Sequence, residues 1–159
     1  MSVFCMPEKM KVVEAITPQA GAAITGDYVS LKNIEMAYVV VHVNQAAANT
    51  MLISIEQATA VAGTSTKVIT VVVPIWANED CVTSDTLVRQ TSAVNFTTSA
   101  AVKHKQVIFQ IDPATLDMAN SFDCITVKTG ASNASNITSA MYYLVTDYPQ
   151  ATPPAAITD

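Results

Sequence analysis

The sequence is poor in charge, in aromatic side chains and in glycine. Only 13% of its 159 residues are charged and 6% are aromatic, whereas about 25% charged residues is usual in soluble domains. Its four glycines include no Gly-x-Gly pair and no Gly-Lys-Thr/Ser ending, which argues against a phosphate-binding loop. The eight basic residues are scattered and the net charge is −5. We therefore expect no nucleic-acid partner, because phosphate binding needs clustered Lys and Arg.

Residues that perform chemistry are also scarce. The two histidines, His42 and His104, stand apart, and the three cysteines, Cys5, Cys81 and Cys124, form no CxxC pair. A metal site needs a cluster of such ligands, and an activated Ser or Cys nucleophile needs a base held beside it. We predict no catalytic residue, no metal and no cofactor, and we expect that the protein is not an enzyme.

Long apolar runs are missing as well. The longest candidate, from Lys67 to Trp76, is shorter than the 18 or so residues that a membrane span requires. The first residues lack the basic leader and long apolar segment of a secretory signal. An odd number of cysteines fits a reducing compartment. We expect a soluble protein with no membrane partner and no disulfide framework.

What the chain does contain is a series of alternating β-type segments. From Glu35 to Asn44, one face of the predicted strand consists of valines and the other presents Tyr38, Val40 and His42. Both faces are largely apolar, so this strand is predicted to be central, with its outer face covered by a loop, an arm or another subunit. Eight or nine such strands without a long helical pattern predict an all-β antiparallel sandwich. A jelly roll is preferred over an immunoglobulin-like arrangement or a closed barrel.

The sequence predicts one domain between two extended arms. The boundaries are an N-terminal arm over residues 1–10, a β-sandwich over residues 11–147 and a Pro-rich tail over residues 148–159. The first arm is apolar without a strong period, so it is predicted to dock on its own core or on a neighbouring subunit. The prolines of the tail prevent regular pairing in a sheet. The candidate partner-binding residues are Val3, Phe4, Met6, Met10, Tyr148 and Pro149.

Three local predictions concern single residues. Trp76, the only tryptophan, follows the β-branched strand predicted from Thr66 to Val73 and is expected in the core. Asp112 and the proline after it predict an N-cap and the first position of a helical turn. Cys124 lies in an apolar run and is interpreted as a small buried hydrophobe.

Three parts of the sequence are similar in pattern to a known class of proteins. They are Thr25-Gly26-Asp27-Tyr28-Val29-Ser30-Leu31-Lys32-Asn33, the Thr/Ala-rich region from Ser54 to Thr70, and Val107-Ile108-Phe109-Gln110-Ile111-Asp112-Pro113 followed by Phe122-Asp123-Cys124-Ile125. They resemble small virion proteins of tailed bacteriophages, in particular head decoration or capsid cement proteins, and the resemblance covers residues 11–147.

The resemblance implies a structural protein of the virion, made in the host cytoplasm. Such a protein binds the outer surface of the mature capsid and stabilises it by bridging capsomers. The implied partners are the major capsid protein and further copies of this chain, in a homo-oligomer for which a trimer is favoured.

Two other functions remain open. A structural protein of the tail or of the head-to-tail connector would share every feature of the composition. A carbohydrate-binding β-sandwich module would present exposed aromatic side chains as platforms for sugars, and the candidates for such platforms are Trp76, Tyr142 and Tyr143.

Overall fold

A computed structural model describes residues 5–148, and this part of the chain is built mainly of antiparallel strands. The strands, in chain order, are β1 (Met10–Ala20), β2 (Ile24–Thr25), β3 (Val29–Ser30), β4 (Ile34–Asn44), β5 (Leu52–Ala58), β6 (Lys67–Val68), β7 (Ile75–Asn78), β8 (Val88–Arg89), β9 (Asn95–Thr97), β10 (His104–Ile111), β11 (Cys124–Thr129) and β12 (Ile137–Thr146). One helical turn, α1 (Met6–Lys9), precedes β1, and two 3₁₀ turns, Pro113–Thr115 and Met118–Asn120, separate β10 from β11. No helix among the described residues is long and apolar enough to cross a membrane.

The strands form two sheets in the order of a jelly roll. The first sheet has the order β1-β12-β4-β10-β7-β8, and the second has the order β2-β11-β5-β6, with β3 also paired to β11 and β9 to β5. The first and last long strands are neighbours, and the chain changes sheet from β4 to β5, from β10 to β11 and from β11 to β12. This alternation is the double Greek key of a jelly roll. The predicted all-β sandwich is therefore confirmed.

The core fills the space between the two sheets with every second side chain of the long strands. β-Branched residues favour this position because they pack well on a pleated surface. Full burial of each such side chain contributes about 1.5–3 kcal/mol. The fully buried members include Val39, Val41, Val107 and Phe109 from the first sheet, and Ile53, Ile55, Ile125 and Val127 from the second.

Tyr142 connects the two sheets inside this core. Its hydroxyl accepts a hydrogen bond from the backbone N–H of Val127 at 3.0 Å and donates one to the carbonyl oxygen of Asp27 at 2.9 Å. The N–H of Asp27 in turn donates to Ala15 in β1, and the N–H of Gly26 donates to Val127 in β11, both at 2.9 Å. Gly26 and Asp27 therefore form the point where the backbone bridges the sheets, and we call it the Gly26–Asp27 crossing.

One predicted strand is much shorter in the structure. Of the segment from Thr66 to Val73, only Lys67–Val68 pairs as a strand, and Val73 forms an isolated bridge with Ala93. Ile69 is buried in the core, but Val71 and Val72 are exposed, so these two valines have no sheet to pack on. The extended strand predicted here was wrong because β propensity reflects packing against neighbours.

The helical turn predicted after β10 is confirmed. The Asp112 carboxylate accepts a hydrogen bond from the N–H of Ala114 at 2.9 Å, and the 3₁₀ turn begins at Pro113. Proline suits this position because its missing N–H has no partner inside the turn.

Candidate interaction surface

The outer side of the first sheet presents a continuous apolar surface. Its side chains alternate along β1, β12, β4, β10 and β7 with residues that are buried in the core. None of its apolar side chains is buried in the described structure. We call this surface the apolar sheet face, and its apolar members are Met10, Val12, Met36, Tyr38, Val40, Trp76, Ile108, Met141, Tyr143 and Val145.

The cross-strand register arranges this face in rows. One row crosses all six strands, and we call it the central row: Glu14, Met141, Val40, Ile108, Trp76 and Arg89. Four apolar side chains thus lie between a carboxylate at one edge and a guanidinium at the other. The row on one side of it is Val12, Tyr143, Tyr38 and Gln110, and the row on the other side is Ser139, His42 and Gln106. The face therefore changes along the strands from apolar and aromatic to polar.

Trp76 belongs to this face, so its predicted place in the core was wrong. Its strand directs Ile75 and Ala77 into the core, and alternation then directs Trp76 outward. The guanidinium of Arg89 lies over its ring, 4.7 Å from the centroid. The same guanidinium donates to the carbonyl oxygens of Ile75 and Gln90, both at 3.1 Å. The cation is therefore held in place at the edge of the sheet.

The outer side of the second sheet has the opposite character. There Lys128 of β11 and Glu56 of β5 form an ion pair of 3.2 Å between Nζ and Oε1. Ser54 lies beside them, opposite Lys128 in the ladder. A polar outer side is typical of an antiparallel sheet that faces water. The contrast identifies the apolar sheet face as the candidate site, because large exposed apolar patches mark interaction surfaces.

The residues before β1 and after β12 meet at one corner of the sandwich. The Thr146 hydroxyl lies 3.2 Å from the carbonyl oxygen of Lys9 and 2.9 Å from that of Tyr148. Tyr148 is 70% exposed. The described chain therefore begins and ends side by side. Of the candidate partner-binding residues, Val3, Phe4 and Pro149 lie outside the described residues.

A shallow groove joins this corner to the apolar sheet face. It has a volume of about 370 Å³ and is lined by Met6, Pro7, Met10, Lys11 and Val12. Two of the candidate residues, Met6 and Met10, therefore line one groove, while Tyr148 stands at the same corner. Met10 and Val12 belong both to the groove and to the sheet face, so the two surfaces are continuous.

Comparisons with known proteins add little to this geometry. No protein-family model and no curated protein matches the chain. Among solved structures the chain is similar to the SPBc2 prophage-derived protein YomS, with a TM-score of 0.47 and 10% identity over 85% of this chain and 92% of that one. A weaker likeness, to the structure of infectious bursal disease virus Gx strain, has a TM-score of 0.22 and 8% identity over 87% of this chain and 41% of that one. Neither likeness assigns a family or a function.

The sequence carries a signal for the apolar sheet face in three of its strands. Tyr38 and Val40 indicated that the outer face of β4 is covered. The same signal, apolar residues at both alternating positions, also occurs at Ile108 in β10 and at Met141 and Tyr143 in β12. The edge residues of the central row give no such signal, because a lone exposed charge is ordinary on a strand.

The described residues hold no group of three or more His, Cys, Asp or Glu that could bind a metal. Among residues 5–148, Lys105 is the one lysine with no exposed surface, and burial lowers its pKa. Its Nζ donates to the carbonyl oxygen of Ser99 at 2.5 Å and to the hydroxyl at 2.9 Å. Glu79 accepts a hydrogen bond from the N–H of Ser99 at 2.6 Å. Lys105 and Glu79 therefore hold the loop between β9 and β10 in place.

Cys124 is expected to be inert toward thiol reagents in the folded protein. Burial, and then the neighbouring Asp123, raise its pKa to about 12, and the thiolate is the reactive form. At pH 8 we expect a disulfide reagent to modify Cys124 only after unfolding, which peptide mass spectrometry will detect. The same reaction in denaturant, in which all three cysteines must react, is the control. Equal labelling rates of Cys124 with and without denaturant would contradict this prediction.

Proposed function

We propose that this protein is a structural component of a bacteriophage particle that binds the outer surface of the mature capsid and stabilises it. The observation that supports a structural role best is the apolar sheet face. A compact domain with one polar and one apolar outer side is suited to be covered by protein. The resemblance of Thr25–Asn33 and of the β10 region to head decoration proteins supports the capsid as the particle surface.

The segments that resemble decoration proteins have structural roles in this fold. Thr25–Asn33 contains the Gly26–Asp27 crossing, which bridges the two sheets. The segment beginning at Val107 supplies β10, whose inward side chains lie in the core. The resemblance therefore concerns residues that determine the sandwich, and it supports a shared architecture.

In this proposal the capsid is bound by the corner where the residues before β1 and after β12 meet. Met6 lines its groove and Tyr148 is exposed beside it. Full burial of each such apolar side chain contributes about 1.5–3 kcal/mol before the entropy cost of ordering is subtracted. Charged residues are only 13% of the chain. The cost of desolvating charged groups is therefore low when another protein covers the surface. Many such contacts around a particle add through multivalency.

The protein acts in this proposal by binding alone, without catalysis, metal or cofactor. The carbohydrate-binding alternative is not favoured, because one of its three candidate platforms is buried and a second is covered on one face. Tyr142 has no exposed surface, and Arg89 covers one face of the Trp76 ring. A sugar platform needs an open aromatic face.

The test is co-sedimentation of the purified protein with mature and with unexpanded heads of the phage that encodes it. We expect saturable binding to mature heads alone, and a decrease of at least about tenfold in affinity for Met6→Glu, since 1.4 kcal/mol corresponds to a factor of ten. Met118→Glu is the matched control, because Met118 is an exposed methionine in a 3₁₀ turn. Its affinity should not change.

Binding to neither form of the head would overturn the capsid role. Binding to purified tails in place of heads would move the assignment to the tail or connector alternative. Binding that is equally weakened by Met6→Glu and Met118→Glu would contradict the assignment of the corner.

A further inference from the structure

We propose that the apolar sheet face binds a second copy of this chain, in a two-fold symmetric dimer whose axis runs along the strands. The inference goes beyond the proposed capsid role and does not rest on it. It follows from the order of side chains across the six strands, which makes the face complementary to itself.

The charges at the two ends of the central row determine the direction of the axis. Glu14 is exposed at one edge of the sheet and Arg89 at the other. A two-fold axis parallel to the strands, passing between Val40 and Ile108, reverses the row in the second copy. Each Glu14 then faces the Arg89 of the other copy, and the dimer contains two such pairs. An axis across the strands would place Glu14 against Glu14, and like charges at an interface are costly.

The apolar side chains of the central row are complementary under the same symmetry. Met141 of one copy lies opposite Trp76 of the other, and Val40 lies opposite Ile108. Thioether sulfur and aromatic rings attract each other. Tryptophan is enriched among the hot spots of protein interfaces. The pairing therefore matches side chains in chemistry as well as in charge.

The neighbouring rows support the same axis. Under an axis parallel to the strands, each row faces the same row of the second copy. The polar row of His42 and Gln106 therefore faces the polar row of the second copy. In the row of Tyr38 and Tyr143, Tyr38 lies opposite Gln110 of the other copy. An axis across the strands would exchange the two rows and place tyrosines against polar side chains. Only the parallel axis thus places opposite charges against each other and keeps the polar row of His42 and Gln106 against its own copy.

The size of the face suits an interface at the lower end of the usual range. The central row crosses six strands spaced about 4.8 Å apart and is about 24 Å long, whereas the other outward rows cross three or four strands, so the footprint is narrower than a full rectangle. With its side chains this footprint approaches the roughly 800 Å² per partner of a standard interface. Two twisted sheets also pack face to face in the aligned arrangement, with their strands about 30° apart.

The first experiment measures the mass of the purified protein in solution by sedimentation equilibrium. We expect twice the 16.9 kDa of one chain. Val40→Glu should raise the dimer dissociation constant at least about 100-fold, because a carboxylate at the centre of the interface is desolvated without a partner. Leu52→Glu is the matched control: Leu52 is 42% exposed on the second sheet, and its substitution should leave the dimer intact. Circular dichroism will verify that both variants are folded.

The second experiment tests the two charge pairs. Glu14→Arg alone places two arginines face to face, and Arg89→Glu alone places two glutamates face to face, so each variant should dimerise at least about tenfold more weakly. A mixture of the two variants should form a heterodimer, since both of its pairs are then attractive. Native mass spectrometry distinguishes this heterodimer from either homodimer, and added salt should weaken it.

A third measurement uses Trp76 itself. As the only tryptophan, it should shift its fluorescence emission to the red when the dimer dissociates on dilution. A monomer at all accessible concentrations would overturn the proposal. A trimer, which the resemblance implied, would also overturn it, because a trimer is built from contacts between two different surfaces of the chain. A dimer that survives Val40→Glu, or a mixture that forms no heterodimer, would also overturn it. None of these experiments measures capsid binding, which co-sedimentation with heads tests at Met6, so failure of one proposal is distinguishable from failure of the other.

Discussion

Tyr142→Ala is expected to lower the free energy of unfolding by about 3–5 kcal/mol, the range for loss of a large buried side chain. Tyr142 has no exposed surface, and its ring lies between the sheets. The substitution leaves a cavity and removes both hydrogen bonds of the hydroxyl. The N–H of Val127 and the carbonyl oxygen of Asp27 then lose a partner. Urea unfolding followed by circular dichroism measures the change.

The contribution of the hydroxyl can be separated from that of the ring. Tyr142→Phe keeps the ring and leaves the buried N–H of Val127 and the partly buried carbonyl oxygen of Asp27 without this partner, so a loss of about 1–3 kcal/mol is expected. Tyr143→Phe is the matched control. Tyr143 follows in the same strand but lies on the outer face, and its change should stay within about 0.5 kcal/mol. Equal losses for the two variants would refute the connecting role of Tyr142.

The same hydroxyl predicts a dependence of stability on pH. Burial raises the pKa of Tyr142 above its ordinary value of 10.0. The unfolded chain therefore releases this proton at a lower pH than the folded protein does. The contribution of the protonated Tyr142 hydroxyl to the free energy of unfolding is complete below pH 10. It is lost as the pH rises through the pKa of Tyr142 in the folded protein. The difference in unfolding free energy between the wild type and Tyr142→Phe should thus decrease above pH 10.

Local patterns were sufficient to predict most of the fold. The alternation from Glu35 to Asn44 predicted a long central strand, and Asp112 with Pro113 predicted the turn, because both signals act over neighbouring residues. Local patterns failed at Trp76 and in the segment from Thr66 to Val73. There the outcome depends on which strand lies alongside, and this is set by tertiary packing.

The candidate site could be predicted only in part for the same reason. Apolar residues at both alternating positions of β4 indicated a covered outer face. The central row, however, exists only through the register of six strands, which brings Glu14 and Arg89 to opposite edges of the sheet. Register is decided by the match of whole strands. No short segment of the sequence determines the register of the six strands.

Gly26→Ala is expected to lower the free energy of unfolding by about 3 kcal/mol, at the upper end of the range for overpacked interiors. A Cβ atom at this position would lie 2.7 Å from the carbonyl oxygen of Ala15 and 3.0 Å from that of Val127. Both contacts are with backbone, so the strands themselves must separate. Gly130→Ala is the matched control, since its Cβ would lie 3.3 Å from the side chain of Leu52, and its loss should be much smaller.

The losses of unfolding free energy caused by Gly26→Ala and by Tyr142→Phe should not be additive. Gly26 adjoins Asp27, whose carbonyl oxygen accepts the hydrogen bond of Tyr142. A Cβ atom at Gly26 shifts this carbonyl and weakens the hydrogen bond. Removing the hydroxyl of Tyr142 then costs less free energy of unfolding than it does in the wild type. The variant with both Gly26→Ala and Tyr142→Phe should therefore lose less free energy than the sum of the single losses, by about 0.5–3 kcal/mol. Gly130→Ala combined with Tyr142→Phe should be additive. Additivity in both pairs would mean that the glycine and the tyrosine support the two sheets independently, contrary to a single crossing.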